Sequence, residues 1–373
     1  MSPPAPRHIL MTADAIGGVW TFAMELCAAL ELREIRVTLV TMGRLPDAEQ
    51  RANARAIRTL SVVSTEYRLE WMDDCARDVV ASGEFLLRLA DRIEPDVVHA
   101  NTFFHAGLPF RAPVLLTAHS CVATWWRACK GSELPRERST YAGWIADAMS
   151  RASLLVAPTR AFLRDFESLH GRAHASRVIQ NGRSIPAQST RLKEPVILAA
   201  GRLWDEAKNI EVLCRAARGG ELPVEIAGET ASPDGRALAL GNVRFLGRLA
   251  ADALLRRMQR AAVFAAPAKY EPFGLSILEA ALSGCALVLG DIPSLRELWD
   301  GVAVFVHPED VSGWRRALSR LLAEPSAAAR AGLRARAHAR RYSAEAMARA
   351  YCEAYDALGA AGRRRSAMSG VAA

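Results

Sequence analysis

The chain has 373 residues and a formal net charge of +8, and 51% of its residues are hydrophobic while 24% are charged. A chain of this length is too long for one ordinary hydrophobic core, so we expect two domains. No apolar run approaches the ~18 residues that a membrane-spanning helix needs, and the first residues lack the pattern of a secretion signal, so we expect a cytoplasmic protein.

Predicted strands and helices alternate along the first half of the chain. The run HILMTAD predicts a strand, and the stretch after Gly17 and Gly18 predicts an amphipathic helix that leads to a second strand in IRVTLVTMG. A later helix is predicted to end at Glu94 and Pro95, because the residue before a proline disfavours helical backbone. The apolar runs VVHA, APVLLTAHS and ASLLVAPT continue the series, and such strands are typical of a parallel sheet covered by helices.

The alternation breaks after IQNGRSIP, where the polar stretch AQSTRLKEP predicts a linker. It restarts with VILAAGR and continues through PVEIAG, VRFLG, AAVFAAP, ALVLG and VAVFVHPED, with helices between them. We therefore predict an α/β fold of two doubly wound, Rossmann-like domains, at 1–186 and 187–342, that face each other across a cleft. A final helical stretch within 343–373 lies outside both series, and its position suggests that it crosses back to the first domain ahead of a short tail.

The stretch YEPFGLSILEAALSGC at 270–285 combines a Pro-Phe-Gly turn with two glutamates. The turn is expected to place the amides of Phe273, Gly274 and Leu275 at a helix N-terminus, where a phosphate oxygen binds favourably. Glu271 precedes this helix and Glu279 lies about one turn inside it. Carboxylates accept hydrogen bonds from sugar hydroxyls, so the arrangement suits a sugar, a diphosphate and a ribose in a row. An isolated pair of glutamates is more often a charged surface, and the Pro-Phe-Gly context favours the site.

The segment EPFGLSILE resembles the signature of the retaining glycosyltransferases of family 4, which have the GT-B fold of two Rossmann-like domains. The resemblance implies that Glu271 contacts hydroxyls of the donor sugar and that Glu279 binds the nucleotide ribose. It covers nearly the whole chain, because further motifs follow in the family's order. The implied function is a retaining, hexosyltransferase-type transfer from a nucleotide-diphosphate sugar to a hydroxyl acceptor, with no metal or other cofactor.

Two further motifs extend the resemblance at the predicted donor site. In AGRLWDEAKN, Arg202 and Lys208 are placed to reach the diphosphate and to neutralise the leaving group. The family usually has five positions from this Arg to its Lys, whereas here there are six, and Asn209 replaces a common Gly. In DAIGGVW, Gly17 and Gly18 resemble the family's Gly-Gly loop, where bare backbone faces the donor phosphate or the acceptor. This loop is not G-x-G-x-x-G, which argues against a dinucleotide site.

The remaining site predictions concern the first domain and the domain junction. His119, in LLTAHSCVATWW, matches the histidine that many family members place beside the reacting sugar. The catalytic residues implied by the resemblance are therefore Glu271, His119, Arg202 and Lys208. The acceptor-side candidates are His99, Asn101, Trp125 and Arg183. In the loop IQNGRSIP, Arg183 and Ser184 replace an apolar-Asp pair that is usual in the family. Glu297, in GDIPSLREL, is expected to play a structural role.

Other functions stay open at this point. A non-catalytic GT-B protein that binds a nucleotide sugar or a glycan is disfavoured by the intact Glu271, Arg202 and Lys208. A nucleotide-sugar epimerase on the same fold is a further alternative. A phosphorylase needs a cofactor lysine, and only four of the 48 basic residues are lysines. A dehydrogenase is disfavoured because the glycine fingerprint of a dinucleotide site is missing.

The net positive charge of the chain indicates which kinds of binding partner to expect. It favours phosphate-bearing ligands or an anionic membrane face, so weak contact with the inner face of the membrane stays open, as does a lipid-linked acceptor. We expect no nucleic-acid partner, because zinc-finger, recognition-helix and aromatic-basic patterns are missing. The seven cysteines are scattered and form no C-x-x-C pair, which argues against a disulfide framework or a structural zinc site.

Overall fold

The computed structural model describes residues 7–186, 193–220, 222–231 and 241–369, with side chains up to residue 359. The chain forms two compact units. The first consists of Met1–Thr124, Glu133–Gly182 and Ala344–Ala373, and the second of Trp125–Ser132 and Arg183–Ser343. Most of the predicted linker, residues 187–192, lies outside the described residues.

The first unit is built on a parallel sheet of seven strands in the order β3-β2-β1-β4-β5-β6-β7. Its strands are β1 (His8–Asp14), β2 (Arg36–Met42), β3 (Leu60–Ser64), β4 (Val97–Ala100), β5 (Val114–Thr117), β6 (Leu154–Ala157) and β7 (Ser176–Val178). The apolar runs that predicted strands in this part of the chain are confirmed. The chain leaves β1 towards β2 and β3 and then passes to β4 on the other side, so the loops after β1 and β4 diverge at one sheet edge.

Helices join these strands, as parallel strands require. They are α1 (Gly18–Glu31), α2 (Ala48–Arg55), α3 (Ala76–Ile93), α4 (Phe103–Ala106), α5 (Val122–Lys130), α6 (Ser139–Arg151) and α7 (Arg160–His170). Helix α3 ends where the sequence predicts, because Glu94 takes the left-handed conformation (φ 46°) before Pro95. Among the described residues, no helix combines the length and the apolar character that crossing a membrane requires.

The last helix, α14 (Ala344–Ser369), belongs to the first unit. Its buried face packs into the same core as α1, with Tyr351 and Tyr355 fully buried. The hydroxyl of Tyr355 lies 2.7 Å from Nδ1 of His99, and that of Tyr351 lies 3.1 Å from Oγ1 of Thr117. Burying a large side chain of this kind contributes roughly 1.5–3 kcal/mol, so the two tyrosines are major contacts of this helix.

His99 is part of this core. Its side chain is fully buried, and its second ring nitrogen, Nε2, lies 2.7 Å from Oγ1 of Thr117. Both nitrogens are thus engaged inside the first unit, and no ring atom is left to contact an acceptor. The prediction that His99 is an acceptor-side residue is therefore wrong, because its strand position directs the ring into the core.

The second unit contains a parallel sheet of six strands in the order β10-β9-β8-β11-β12-β13. The strands are β8 (Glu194–Arg202), β9 (Val224–Glu229), β10 (Arg244–Phe245), β11 (Ala261–Ala266), β12 (Ala286–Gly290) and β13 (Val304–Val306). The helices are α8 (Glu211–Ala216), α9 (Ala251–Arg260), α10 (Leu275–Leu282), α11 (Pro293–Trp299), α12 (Val311–Ala323) and α13 (Pro325–Ala339). Along β8, Ile197 and Ala199 enter one hydrophobic core and Leu198 enters another. Both faces of the sheet are therefore covered, which explains the unbroken apolar runs.

The bond between Tyr355 and His99 predicts a measurable stability effect. Replacing Tyr355 by phenylalanine leaves a buried ring nitrogen without its partner, so we expect the free energy of unfolding to fall by about 1–3 kcal/mol. Urea unfolding followed by circular dichroism measures this loss. Tyr67→Phe is the matched control, since the Tyr67 hydroxyl makes no hydrogen bond with the described residues. Equal stability of the two variants would contradict the prediction.

Buried histidines should make the first unit sensitive to acid. Burial lowers the pKa of His99, His105 and His119 to about 3, whereas an unfolded histidine titrates near pH ~6.5. Below about pH 6.5 the unfolded chain therefore takes up protons that the folded chain does not bind until about pH 3. The stability present above about pH 6.5 is thus lost on acidification, at about 1.4 kcal/mol per pH unit for each histidine.

Glu70 acts in the opposite direction. Burial raises the pKa of Glu70 from 4.5 to about 7, so between these values the folded chain holds a proton that the unfolded chain releases. The net loss from the three histidines and Glu70 between about pH 6.5 and about pH 4.5 is therefore about 2.7 kcal/mol per pH unit. Glu70→Gln removes the opposing group and should raise this slope by about half in urea unfolding. An unchanged slope in this variant would show that Glu70 is ionised in the folded chain.

Candidate functional site

The two predicted phosphate-binding segments leave neighbouring strands of the second sheet. The chain runs from β8 outward to β9 and β10, then returns to β11 on the other side of β8 and continues to β12 and β13. The loops after β8 and β11, residues 203–210 and 267–274, therefore diverge at the carboxyl edge of the sheet. Ligands of open parallel sheets bind at this kind of switch point.

An ion pair joins these two loops. Nζ of Lys208 lies 2.5 Å from Oε2 of Glu271, and the two side chains are only 22% and 14% exposed. The stem of Lys208 runs past Gly201, where an added Cβ would lie 3.6 Å from Lys208 Cδ. A hydrogen bond between two charged groups is short and strong, so the two side chains fix each other's position.

Arg202 is held by a buried carboxylate that the sequence analysis did not identify. Its Nη2 lies 3.0 Å from Oδ2 of Asp205, whose side chain is only 7% exposed. The other oxygen of Asp205 accepts the backbone N–H of Ala207 at 3.0 Å and the indole N–H of Trp125 at 2.9 Å. The sequence does contain a signal for Asp205. An aspartate at the start of a turn commonly accepts a hydrogen bond from the backbone N–H two residues later.

Trp125 was predicted among the acceptor-side residues of the first domain. It lies instead in the second unit, against the loop after β8 through its bond to Asp205. On the same helix, Lys130 pairs with Glu206 at 2.5 Å. These two contacts assign this end of α5 to the support of the predicted donor loop.

Asn209 ends the short turn in the loop after β8. A single 3-10 turn over Glu206–Lys208 is followed by Asn209 in the left-handed conformation, with φ 51°. Apart from glycine, asparagine is among the few residues that adopt this conformation readily. Its side-chain amide donates to the carbonyl oxygens of Pro267 at 3.0 Å and Pro308 at 2.7 Å. Asn209 thus ties together the loops after β8, β11 and β13.

The Pro-Phe-Gly turn begins α10 as predicted. Gly274 precedes the helix with φ 87°, and no side chain caps the helix N-terminus. An added Cβ at Gly274 would lie 2.8 Å from Ile277 Cδ1, so glycine is required both by conformation and by space. The first amides of a helix have no partner within the helix, and those of Leu275 and its neighbours therefore suit an anion.

The turn is supported from two directions. Phe273 is buried, and its ring packs edge-on against Tyr342 with ring centres 5.8 Å apart. The hydroxyl of Ser294, in the first turn of α11, donates to the carbonyl oxygen of Glu271 at 2.6 Å. Ser294 therefore carries a contact from α11 to the turn. Glu297, in the same helix, is half-buried.

Glu279 forms an ion pair with Arg183, which was predicted to lie on the acceptor side. Nε of Arg183 lies 2.6 Å from Oε1 of Glu279, and the side chains are 22% and 16% exposed. Arg183 belongs to the second unit. Its prediction as an acceptor-side residue is corrected accordingly, because its side chain turns to the carboxylate of α10.

The other predicted residues lie at the carboxyl edge of the first sheet. Gly17, with φ 99°, and Gly18 are exposed at the start of α1. The side chain of Asn101 donates to the carbonyl oxygen of Thr12 at 2.6 Å and contacts Nε2 of His119 at 2.8 Å through Oδ1. Since Oδ1 only accepts, Nε2 of His119 carries the proton.

His119 is neutral at physiological pH. Burial of its ring, which packs 4.5 Å from the ring centre of Phe22, lowers the pKa of His119 to about 3. With Nε2 protonated, Nδ1 is the acceptor of this imidazole, and among the described residues it has no hydrogen-bond partner. The ring can therefore accept a hydrogen bond from a hydroxyl group.

The structure thus divides the predicted residues into two sets. The set in the second unit comprises Arg202, Lys208, Glu271, Phe273, Gly274, Leu275, Glu279 and, unexpectedly, Trp125 and Arg183. The set in the first unit comprises Gly17, Gly18, Asn101 and His119. In the described part of the chain, no three His, Cys, Asp or Glu side chains are grouped so as to hold a metal ion.

Comparison with known proteins finds relatives and solved structures that match most of the chain. Relatives include the glycogen synthase of Mycobacterium tuberculosis (strain CDC 1551 / Oshkosh), which is 26% identical over 384 residues that span 88% of this chain and 87% of the relative. Sucrose-phosphate synthase from Thermosynechococcus elongatus superposes with a TM-score of 0.79 at 18% identity, covering 95% of this chain and 100% of that one. Anabaena HepE in complex with UDP-glucose superposes with a TM-score of 0.71 at 18% identity, covering 94% of this chain and 99% of that one.

Two family models divide the chain between them. Residues 16–185 match the model described as Glycosyltransferase Family 4. Residues 194–324 match the model described as Glycosyl transferases group 1. The first match covers strands β2 to β7 of the first sheet, and the second covers all six strands of the second sheet. The chain therefore belongs to the family 4 glycosyltransferases, which have the GT-B fold.

Proposed function

We propose that the protein transfers a hexosyl group from a nucleotide-diphosphate sugar to a hydroxyl acceptor, with retention of configuration and without a metal ion. The observation that carries this proposal is the Lys208–Glu271 pair at the switch point of the second sheet. It brings a phosphate-binding cation and a sugar-binding carboxylate together beside an uncapped helix N-terminus.

The donor diphosphate lies, on this proposal, among Arg202, Lys208 and the amides of residues 273–275. As the bond between sugar and phosphate breaks, negative charge grows on the leaving diphosphate. Fixed positive groups and helix amides stabilise such charge without reorganisation. Asp205 and Glu271 hold the two cations in place before the ligand arrives, so little ordering is required on binding.

Carboxylates orient the rest of the donor. Glu271 accepts hydrogen bonds from sugar hydroxyls, and Glu279 accepts them from the ribose. The acceptor oxygen forms the new bond on the face from which the phosphate leaves, and its proton passes to the departing phosphate oxygen. This reaction needs no protein nucleophile. His119 contributes a neutral ring whose Nδ1 accepts a hydrogen bond from a hydroxyl of the reacting sugar.

The acceptor is a glycan, a lipid-linked sugar or a small molecule. The relatives, among them a glycogen synthase and a sucrose-phosphate synthase, differ in what they act on. Anabaena HepE was solved with UDP-glucose, which makes UDP the first nucleotide to test. A cytoplasmic location, including the inner face of the membrane for a lipid-linked acceptor, is part of the proposal.

Nucleotide binding tests the donor site. Thermal unfolding with UDP, ADP and GDP should single out one nucleotide, and a ligand at about 100 times its Kd stabilises by about 2.7 kcal/mol, a shift of a few degrees. Arg202→Ala and Lys208→Ala should lose most of this shift, because each removes a charge from the diphosphate site. Arg260→Ala is the control, since Arg260 pairs with Glu194 at the start of β8. No shift with any nucleotide would contradict the proposal.

Product analysis tests the chemistry. With the nucleotide sugar that binds and an acceptor that is turned over, the anomeric proton in the NMR spectrum of the product should keep the configuration of the donor. Activity should survive EDTA, because Arg202 and Lys208 provide the positive charge. An inverted product would refute retention. Loss of activity in EDTA that Mg²⁺ restores would refute metal independence.

A further inference from the structure

Arg183 is a half-buried arginine at the start of the second unit. Its Nε lies 2.6 Å from Oε1 of Glu279. Its backbone N–H donates to the carbonyl oxygen of Tyr342 at 3.0 Å. Because the ring of Tyr342 packs against Phe273, the backbone of Arg183 and the Pro-Phe-Gly turn have a common support.

The pairing constrains a side chain that is otherwise flexible. Glu279 has three rotatable side-chain bonds, and a carboxylate that must meet ribose hydroxyls gains from being fixed beforehand. Both side chains of the pair are at least three-quarters buried, so the charge of either one alone would be costly. An ionised carboxylate accepts about four hydrogen bonds, so a bond from Arg183 is compatible with bonds from a ribose.

We propose that Arg183 is a positioning residue of the nucleotide site, which holds Glu279 in the orientation that accepts hydrogen bonds from the ribose hydroxyls. This inference rests on the proposed function. It assigns to Arg183 an effect on nucleotide affinity that depends on the hydroxyls of the ribose. Direct binding of Arg183 to the diphosphate would instead give an effect that is independent of those hydroxyls.

A cycle of protein variant against ligand hydroxyls separates these two roles. Calorimetric titrations compare wild type and Arg183→Met, each with the nucleoside diphosphate that binds wild type and with its 2′,3′-dideoxy form. We expect Arg183→Met to bind the complete nucleotide about tenfold more weakly. The same variant should bind the dideoxy form as well as wild type does. An equal loss for both nucleotides would overturn the proposal and assign Arg183 to the phosphates or to folding.

The control variants keep the result interpretable. Arg257→Met removes one of two arginines that pair with Glu225, at 3.3 Å and with side chains 33% and 10% exposed, and should leave both affinities unchanged. Arg183→Lys keeps a cation in case Arg183→Met does not fold, and its loss should again be confined to the complete nucleotide.

The two proposals fail in different ways. If wild type binds none of the nucleotides, the proposed function fails. If Glu279→Gln shows a loss that depends on the hydroxyls while neither Arg183 variant does, only the role of Arg183 is refuted.

Discussion

The ion pair between Lys208 and Glu271 is the contact on which the predicted site depends. It closes the gap between two loops that the strand order forces apart, since β8 and β11 are neighbours whose chains continue in opposite directions. Each end of the pair is separately anchored. Asn209 ties the loop of Lys208 to the carbonyl oxygens of Pro267 and Pro308, and Ser294 bonds the backbone of Glu271. The parallel sheet therefore fixes where the two charges meet, and the hydrogen bonds of neighbouring loops fix their orientation.

Every basic side chain of the predicted donor site has an acidic partner. Arg202 lies on Asp205, Lys208 on Glu271 and Arg183 on Glu279. Such pairs hold positive charge in place near the start of α10, where the backbone is itself electropositive. Preorganised charge of this kind stabilises negative charge that develops in a transition state. The carboxylates of these pairs accept hydrogen bonds, which is what the hydroxyls of a sugar require.

Most strands of the two sheets could be predicted because their apolar runs are bounded by Gly, Pro or small polar residues. The edge strands β3 and β7 were not among the predicted strands, since none of their residues is fully buried. The Pro-Phe-Gly turn was also predictable, because Gly274 must take a conformation that other residues avoid. His99 was not, since a histidine at a strand end looks the same whether it faces solvent or the core. Nor was the partner of Arg183, because Glu279 lies 96 positions further along the chain and only the folded loop brings them together.

The half-buried ion pairs also bear on whether the site has a function at all. Removing two charges from water is expensive, and a well-packed hydrophobic pair in the same place is often as stable or more stable. Stability alone therefore gives no reason to find Lys208 with Glu271, and Arg183 with Glu279, beside one short helix. Asn209 also has more than a turn-forming role. A glycine would be enough for the left-handed turn, whereas the side-chain amide of Asn209 joins three loops through hydrogen bonds. The donor proposed above carries both phosphates and hydroxyls, so its binding would account for the whole set: the cations would meet the phosphates and the carboxylates would meet the hydroxyls.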